Sequence, residues 1–187
     1  MEKHTHIQFS GNVLGEKMFL AYVDSRRFGH LYLLPEIEAQ IKLNELGHDL
    51  KSENFTYQYF KESVLKYPER FIKVSLLDQS LFAGSGNYIA NEICARGLVR
   101  PDRKINTLSD KEIKKMYKAV NLVLDDTMES GGTTFAGGYR DANGDIGKGV
   151  QHLVVFYQKV CQMCKKGEVV KINLAQRGTY YCPLCQK

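Results

Sequence analysis

The sequence predicts an α+β fold, on three observations. Short alternating apolar runs open the chain, helical spacing fills its middle, and four of the five cysteines fall from Cys161 onward in two C-x-x-C pairs. A strand-like stretch between the pairs completes a small β-hairpin module.

The elements follow in order. His6–Ser10 and Met18–Asp24 have the alternation of strands, joined through the polar segment 11–17, and Gly29–Leu34 reads as a third short strand. From Pro35 to Leu46 the apolar residues Ile37, Ile41, Leu43 and Leu46 take helical spacing, and proline is tolerated at a helix start. Asn54–Tyr67 reads as a second helix with aromatics on one face. Leu76–Phe82 reads as the end of a buried segment, and Ala83-Gly84-Ser85-Gly86-Asn87 leads into a helix over Tyr88–Arg96, closed by Gly97. Ser109 and Glu112 form a capping box. The stripe Ile113, Met116, Tyr117, Val120, Val123, Leu124, Met128 marks a long helix that Gly131 and Gly132 stop. The glycine-rich stretch 133–149 predicts a mobile loop. Leu153–Gln158, Val169–Leu174 and Thr179–Tyr181 read as strands flanking the cysteines.

Cys161 and Cys164, then Cys182 and Cys185, are separated by 17 residues. A C-x-x-C knuckle turns two thiolates to one side, and two knuckles make a tetrahedral sulfur site suited to one structural zinc ion. An iron centre shares this spacing. No sequence at the N-terminus has the character of a secretory signal, which predicts an intracellular chain and argues against disulfides. A module this small cannot fold on its own apolar core, so the metal supplies its folding energy. Cys94, inside a helix, reads as a small core residue.

Net charge is +5, and Gln151–Lys187 holds six cations against one anion, so the whole excess sits in the hairpin module. A polyanionic partner fits that asymmetry, as does a solvated lysine-rich surface. The start of the helix after Gly86 offers free N–H groups and a positive dipole end, suited to a phosphate, with Asn87 as cap or direct donor.

Four stretches together resemble the formamidopyrimidine-DNA glycosylase and endonuclease VIII family of base-excision repair enzymes. They are LFAGSGNYIANE from Leu81 to Glu92, followed by Gly97 and Arg100–Arg103; Gly131–Thr134 with the loop after it; QRGTYYCPLCQ from Gln176 to Gln186; and Lys3–His6 with Asp24–Gly29. The likeness covers almost the whole chain. It implies three parts: residues 1–34 as the last strands of a β-sandwich, 35–150 as a helical helix–two-turn–helix domain with a flexible loop at 133–149, and 151–187 as a zinc ribbon. It implies binding of double-stranded DNA that carries a damaged or abasic site.

Carried over position by position, the resemblance has Asn87 and Arg177 hold the phosphates flanking the lesion, with Gly86 at the helix start. Arg177 also takes the family's proton-donor role in elimination. His4 and Arg26 match DNA contacts. Arg26 or Arg27 fills the gap left by an everted nucleotide, and Phe28 wedges into the stack, offsetting the cost of extruding a base. The plainer reading of Phe28 is a core residue. Lys73 falls where the family has a lysine near the lesion, and its plainer reading is a surface cation, since no sequence feature marks a buried lysine there.

The chain also departs from the family. The family's nucleophile is an N-terminal proline followed by glutamate, whereas this sequence reads Met1-Glu2-Lys3 and begins about a third of the way into a family chain. Ser25 stands where the family has proline, and Tyr88-Ile89 are in swapped order. The expectation is a DNA-repair protein of this family, glycosylase and lyase in class. The alternatives are a non-catalytic DNA-binding module or a zinc-ribbon protein–protein adaptor. The incomplete sandwich predicts a dimer or a partner chain over its bare face. Cytoplasmic, nucleoid-associated localisation follows if the source is bacterial.

Overall fold

The computed structural model describes residues 3–25, 27–135, 140 and 144–187. The chain divides into two compact units, Met1–Ile41 and Lys42–Lys187. Among the described residues no helix is long and apolar enough to cross a membrane.

The first unit is built on an antiparallel hairpin of β1 (Thr5–Val13) and β2 (Glu16–Val23). Both strands run further than their alternation predicts. Leu14 and Gly15 make a two-residue turn at positive φ (51° and 86°), which lets Val13 pair directly with Glu16. Register then sorts the side chains. Ile7, Phe9 and Val13 share a face with Tyr22, Leu20, Met18 and Glu16, while Gln8, Ser10 and Asn12 point the other way with Ala21, Phe19 and Lys17. The apolar face is exposed. Gly29–Leu34 forms no strand. The Asp24 carboxylate instead accepts hydrogen bonds from the Arg27 and Gly29 N–H groups at 2.9 and 2.7 Å, fixing a turn where a ladder would begin. Helix α1 (Glu36–Leu43) starts after Pro35 and has no buried residue.

The second unit packs α2 (Tyr57–Leu65), α3 (Ile72–Leu76), α4 (Asn87–Arg96) and α5 (Asp110–Glu129) around one core. Thr56 caps α2 through the Tyr59 N–H, and Ser109 with Glu112 closes the expected capping box on α5. Phe60, Val64, Ile72, Leu76, Phe82, Ile93, Ile113, Met116 and Val120 are buried together. Gly97 ends α4 against α5: a β-carbon there would lie 2.7 Å from Met116 Cγ, so only glycine permits the crossing. Sequence reading missed α3 and the two-residue parallel pairing of β3 (His48–Asp49) with β4 (Phe82–Ala83), both too short to show a period.

At the C-terminal end β5 (Val170–Leu174) pairs with β6 (Arg177–Tyr181) across Ala175 and Gln176, both at positive φ. The expected strand at Leu153–Gln158 is absent. The N–H groups of Val154, Val155 and Phe156 donate instead to the buried Glu92 carboxylate at 2.7, 3.0 and 2.9 Å, which takes up the donors a ladder would need. Part of the 133–149 loop lies outside the described residues. Its ends are pinned, with the Gly149 N–H on Gly132 O at 2.9 Å and the Gly147 N–H on Thr134 Oγ1 at 2.9 Å.

Candidate nucleic-acid interface and metal centre

The four cysteines of the two knuckles converge. Cys161, Cys164, Cys182 and Cys185 place their sulfur atoms within 4.8 Å of one another, with Cys161–Cys185 and Cys164–Cys182 at 3.9 Å. A disulfide needs about 2.05 Å, while a tetrahedron with arms of about 2.3 Å has sulfur–sulfur edges near 3.8 Å. The donor set therefore fits one structural zinc ion, and among the described residues the cluster holds no fifth metal-ligating side chain. Backbone groups favour the thiolate at one of the four positions. The N–H groups of Gly167 and Lys166 hold the Cys164 thiol down to about 6. Gly167 is required by space, because a β-carbon there would lie 2.4 Å from Cys182 Sγ. The second knuckle is tied to the helical core: Gln186 accepts from the Cys182 N–H at 2.8 Å and donates to Val99 O at 2.8 Å.

Helix α4 carries the connection between core and ribbon. Its buried Asn91 accepts from the Tyr180 N–H at 2.7 Å and donates to Asn87 O at 2.7 Å. One helical turn therefore fixes β6, and Glu92 beside it fixes the 154–156 segment. Sequence reading gave neither residue a role, although two polar side chains inside the apolar run of α4 are the signal that could have found them.

Lys73 is the largest correction. It is 0% exposed, not a surface cation. From α3 its ammonium donates to Asn87 Oδ1 at 2.8 Å, Thr179 Oγ1 at 2.7 Å and Gly178 O at 3.4 Å. Burial, and secondarily the nearby Arg177 guanidinium, bring its amine down to about 8. Asn87 Nδ2 also donates to Gly178 O at 3.1 Å. The buried lysine thus joins the start of α4 to the tip of the β5–β6 hairpin, where Arg177 is exposed.

The start of α4 has no side-chain cap, and Gly86 is exposed with nothing within 4 Å of where a β-carbon would stand. Free N–H groups, the Asn87 amide and the Arg177 guanidinium form one electropositive surface that an oxyanion can approach. Gly86, Asn87, Lys73 and Arg177 are brought together in the second unit. His4, Arg27 and Phe28 lie in the first unit, and Arg26 lies outside the described residues. His4 O accepts from the Asp24 N–H at 3.1 Å, which sets His4 beside the turn bearing Arg27 and Phe28. Phe28 is 72% exposed and so is no core residue. Cys94 is buried as expected, and burial pushes its thiol up to about 12.

Comparison with known proteins agrees with this geometry. Residues 46–137 match the model of the formamidopyrimidine-DNA glycosylase H2TH domain, and residues 159–187 match that of the zinc finger found in FPG and IleRS. The chain is 38% identical over 190 residues to a formamidopyrimidine-DNA glycosylase of Oceanobacillus iheyensis, covering 100% of this chain and 66% of the relative. It is 37% identical over 191 residues to one of Listeria monocytogenes, covering 100% and 68%. The crystal structure of the MutM (Fpg) protein from Thermus thermophilus superposes with a TM-score of 0.85 at 30% identity, over 100% of this chain and 70% of that one. The complex between the Lactococcus lactis Fpg and an abasic site containing DNA superposes with a TM-score of 0.83 at 28% identity, over 100% and 67%. The chain spans about two thirds of the length of these relatives.

Proposed function

The chain belongs to the formamidopyrimidine-DNA glycosylase family, and from that premise we propose that it grips duplex DNA at a damaged or abasic site in the base-excision repair of oxidised bases. The observation that carries this reading is the Lys73 bridge. It fixes Asn87 at the start of α4 against the hairpin whose tip bears Arg177. Two phosphates of a bent strand are then met by two donors on separate elements with a fixed spacing, and the zinc ion keeps the hairpin in place. Zinc supplies no chemistry in this scheme, since all four of its positions are filled by cysteine.

Gly86, Asn87 and Arg177 form the phosphate-facing set, and the buried Lys73, rather than touching DNA itself, holds Asn87 against the hairpin that bears Arg177. His4, Arg26, Arg27 and Phe28 are the contacts assigned to the gap in the duplex, with the exposed Phe28 ring as wedge. Arg177 also serves as proton donor in elimination. Residues 35–150 and 151–187 act as one gripping surface. The exposed apolar face of β1–β2 supports a covering partner or second copy, read out by sedimentation. Glycosylase and lyase activity is the family's chemistry, and we propose it for the protein to which this chain contributes the grip.

The test is fluorescence anisotropy on a duplex containing an abasic site and on the same duplex fully paired. Tighter binding of the abasic duplex, weakened by Asn87→Ala, supports the reading. Equal and salt-insensitive binding of both would favour the protein–protein adaptor.

A further inference from the structure

Beside the phosphate-facing set stands a wall of five aromatic rings that the grip does not account for. Tyr88 follows Asn87 on α4, and Tyr180 follows Thr179 on β6, so the wall begins one residue from two partners of Lys73. Phe156 packs between them, 6.3 Å from Tyr88 and 5.1 Å from Tyr180. Phe135 and Tyr157 complete the wall, 5.7 Å apart.

Tyr157 is the anomalous member. Its ring lies 4.5 Å from Phe156 and 5.3 Å from Tyr180, yet the residue is 65% exposed. Its φ is +57°, a left-handed conformation that costs a residue with a β-carbon about 1–2 kcal/mol. Folding gains less from this side chain than from its buried neighbours, because the residue keeps about two thirds of its surface in water. Phe156 beside it is buried and held through its N–H by Glu92, so the wall's interior is complete without Tyr157. A strained backbone that keeps an aromatic face on the outside of a rigid wall points to a contact with something else. On the neighbouring strand, Lys171 Nζ stands 5.6 Å from the Tyr180 ring, adding positive charge to the same wall.

We propose that Tyr157 is a stacking contact for a nucleobase that distortion of the duplex leaves unpaired, which rests on the DNA-binding reading above. Paired bases in an intact duplex have both faces covered by their neighbours. A base left unpaired opposite an abasic site exposes a face, and an aromatic ring beside the phosphate clamp can take it. Every base has a π-face, so the contact selects unpaired bases rather than a sequence.

The experiment uses the full chain with Tyr157→Leu, Tyr157→Phe and Tyr157→Trp, titrated by anisotropy against the abasic duplex and its fully paired counterpart. Leucine keeps the backbone and an apolar side chain but removes the aromatic face. The expected result is a loss of roughly 5- to 150-fold on the abasic duplex, with little change on the paired one and an unchanged salt slope. Phenylalanine retains the parent affinity. The sequence has no tryptophan, so Tyr157→Trp provides a single indole whose emission is quenched by the abasic duplex and not by the paired one. Tyr157→Leu binding the abasic duplex as tightly as the parent overturns the proposal. So does a loss in Tyr157→Phe equal to that in Tyr157→Leu, which would assign the contact to the hydroxyl. A parent chain that binds neither duplex overturns the DNA-binding reading as well. A parent that binds DNA while Tyr157→Leu is neutral overturns the stacking contact alone.

Discussion

The Lys73 ammonium donates to Asn87 Oδ1 at 2.8 Å from inside the protein, with no exposed surface of its own. The bond fixes which way the Asn87 amide faces: with Oδ1 turned to lysine, Nδ2 is left to donate, and it reaches Gly178 O at 3.1 Å. Two further bonds from Lys73, to Thr179 Oγ1 at 2.7 Å and Gly178 O at 3.4 Å, tie the same point to β6. A buried cation with three acceptors is stable as a set and costly to break singly.

Lys73 should leave a pH signature. Its amine sits at about 8 against an ordinary value of 10.5, mainly because burial penalises the charged form. Below pH 8 both folded and unfolded chains carry the proton, and the penalty is constant. Between pH 8 and 10.5 the unfolded chain binds more proton, so this residue makes stability rise with pH, by on the order of 3 kcal/mol in total. Lys73→Met should remove that rise. Denaturant unfolding of both chains across this window checks it, and parallel curves would show that burial does not govern the amine.

Glu112 provides the opposite case at acid pH. Burial raises its pKa, but the Ser109 N–H and hydroxyl and the Arg103 guanidinium outweigh it and hold the carboxyl at about 2 against 4.5. Its contribution is therefore full above pH 4.5 and lost as pH falls toward 2. Glu112→Gln should destabilise the chain by about 2 kcal/mol at neutral pH and flatten its acid limb in thermal melts.

Removing a zinc ligand should separate ribbon from core. Cys182→Ser should lower bound zinc from one ion per chain and unfold the β5–β6 hairpin, leaving the α2–α5 core folded. Gly167→Ala keeps all four cysteines but drives a β-carbon to 2.4 Å from Cys182 Sγ, so it too should weaken zinc retention against a chelator. Full zinc occupancy in Cys182→Ser by elemental analysis would contradict the four-cysteine site.

Arg177→Ala should weaken binding to the abasic duplex and reduce the slope of log affinity against log salt by about one, the amount expected for one phosphate contact. Arg177 is exposed at a hairpin tip, so the melting temperature should hardly move. An unchanged slope would remove Arg177 from the phosphate-facing set.

Glu92→Ala should strip three buried N–H groups of their acceptor and destabilise the chain by about 3 kcal/mol or more. Hydrogen exchange at Val154, Val155 and Phe156 is the measurement. Protection that survives the substitution would mean that another acceptor serves them.

The sequence by itself determined the elements whose signal is local. The C-x-x-C pairs announced the metal site because a knuckle needs only four consecutive residues. The Ser109–Glu112 box and the stripe from Ile113 onward announced α5 because capping and helical period are read within a few turns. The alternation of β1 and β2 gave the hairpin, and Gly86-Asn87 gave the start of α4. Tertiary structure alone decided the rest. The run Leu153–Gln158 has the apolar residues of a strand, but its N–H groups belong to Glu92, more than sixty residues earlier in the chain. Lys73 reads as any surface lysine until α3, α4 and β6 close around it and supply three oxygens. In each case the deciding partner is a buried polar group from a distant segment. Hydrogen bonds of that kind leave no period in the sequence, since their geometry exists only once the core has excluded water.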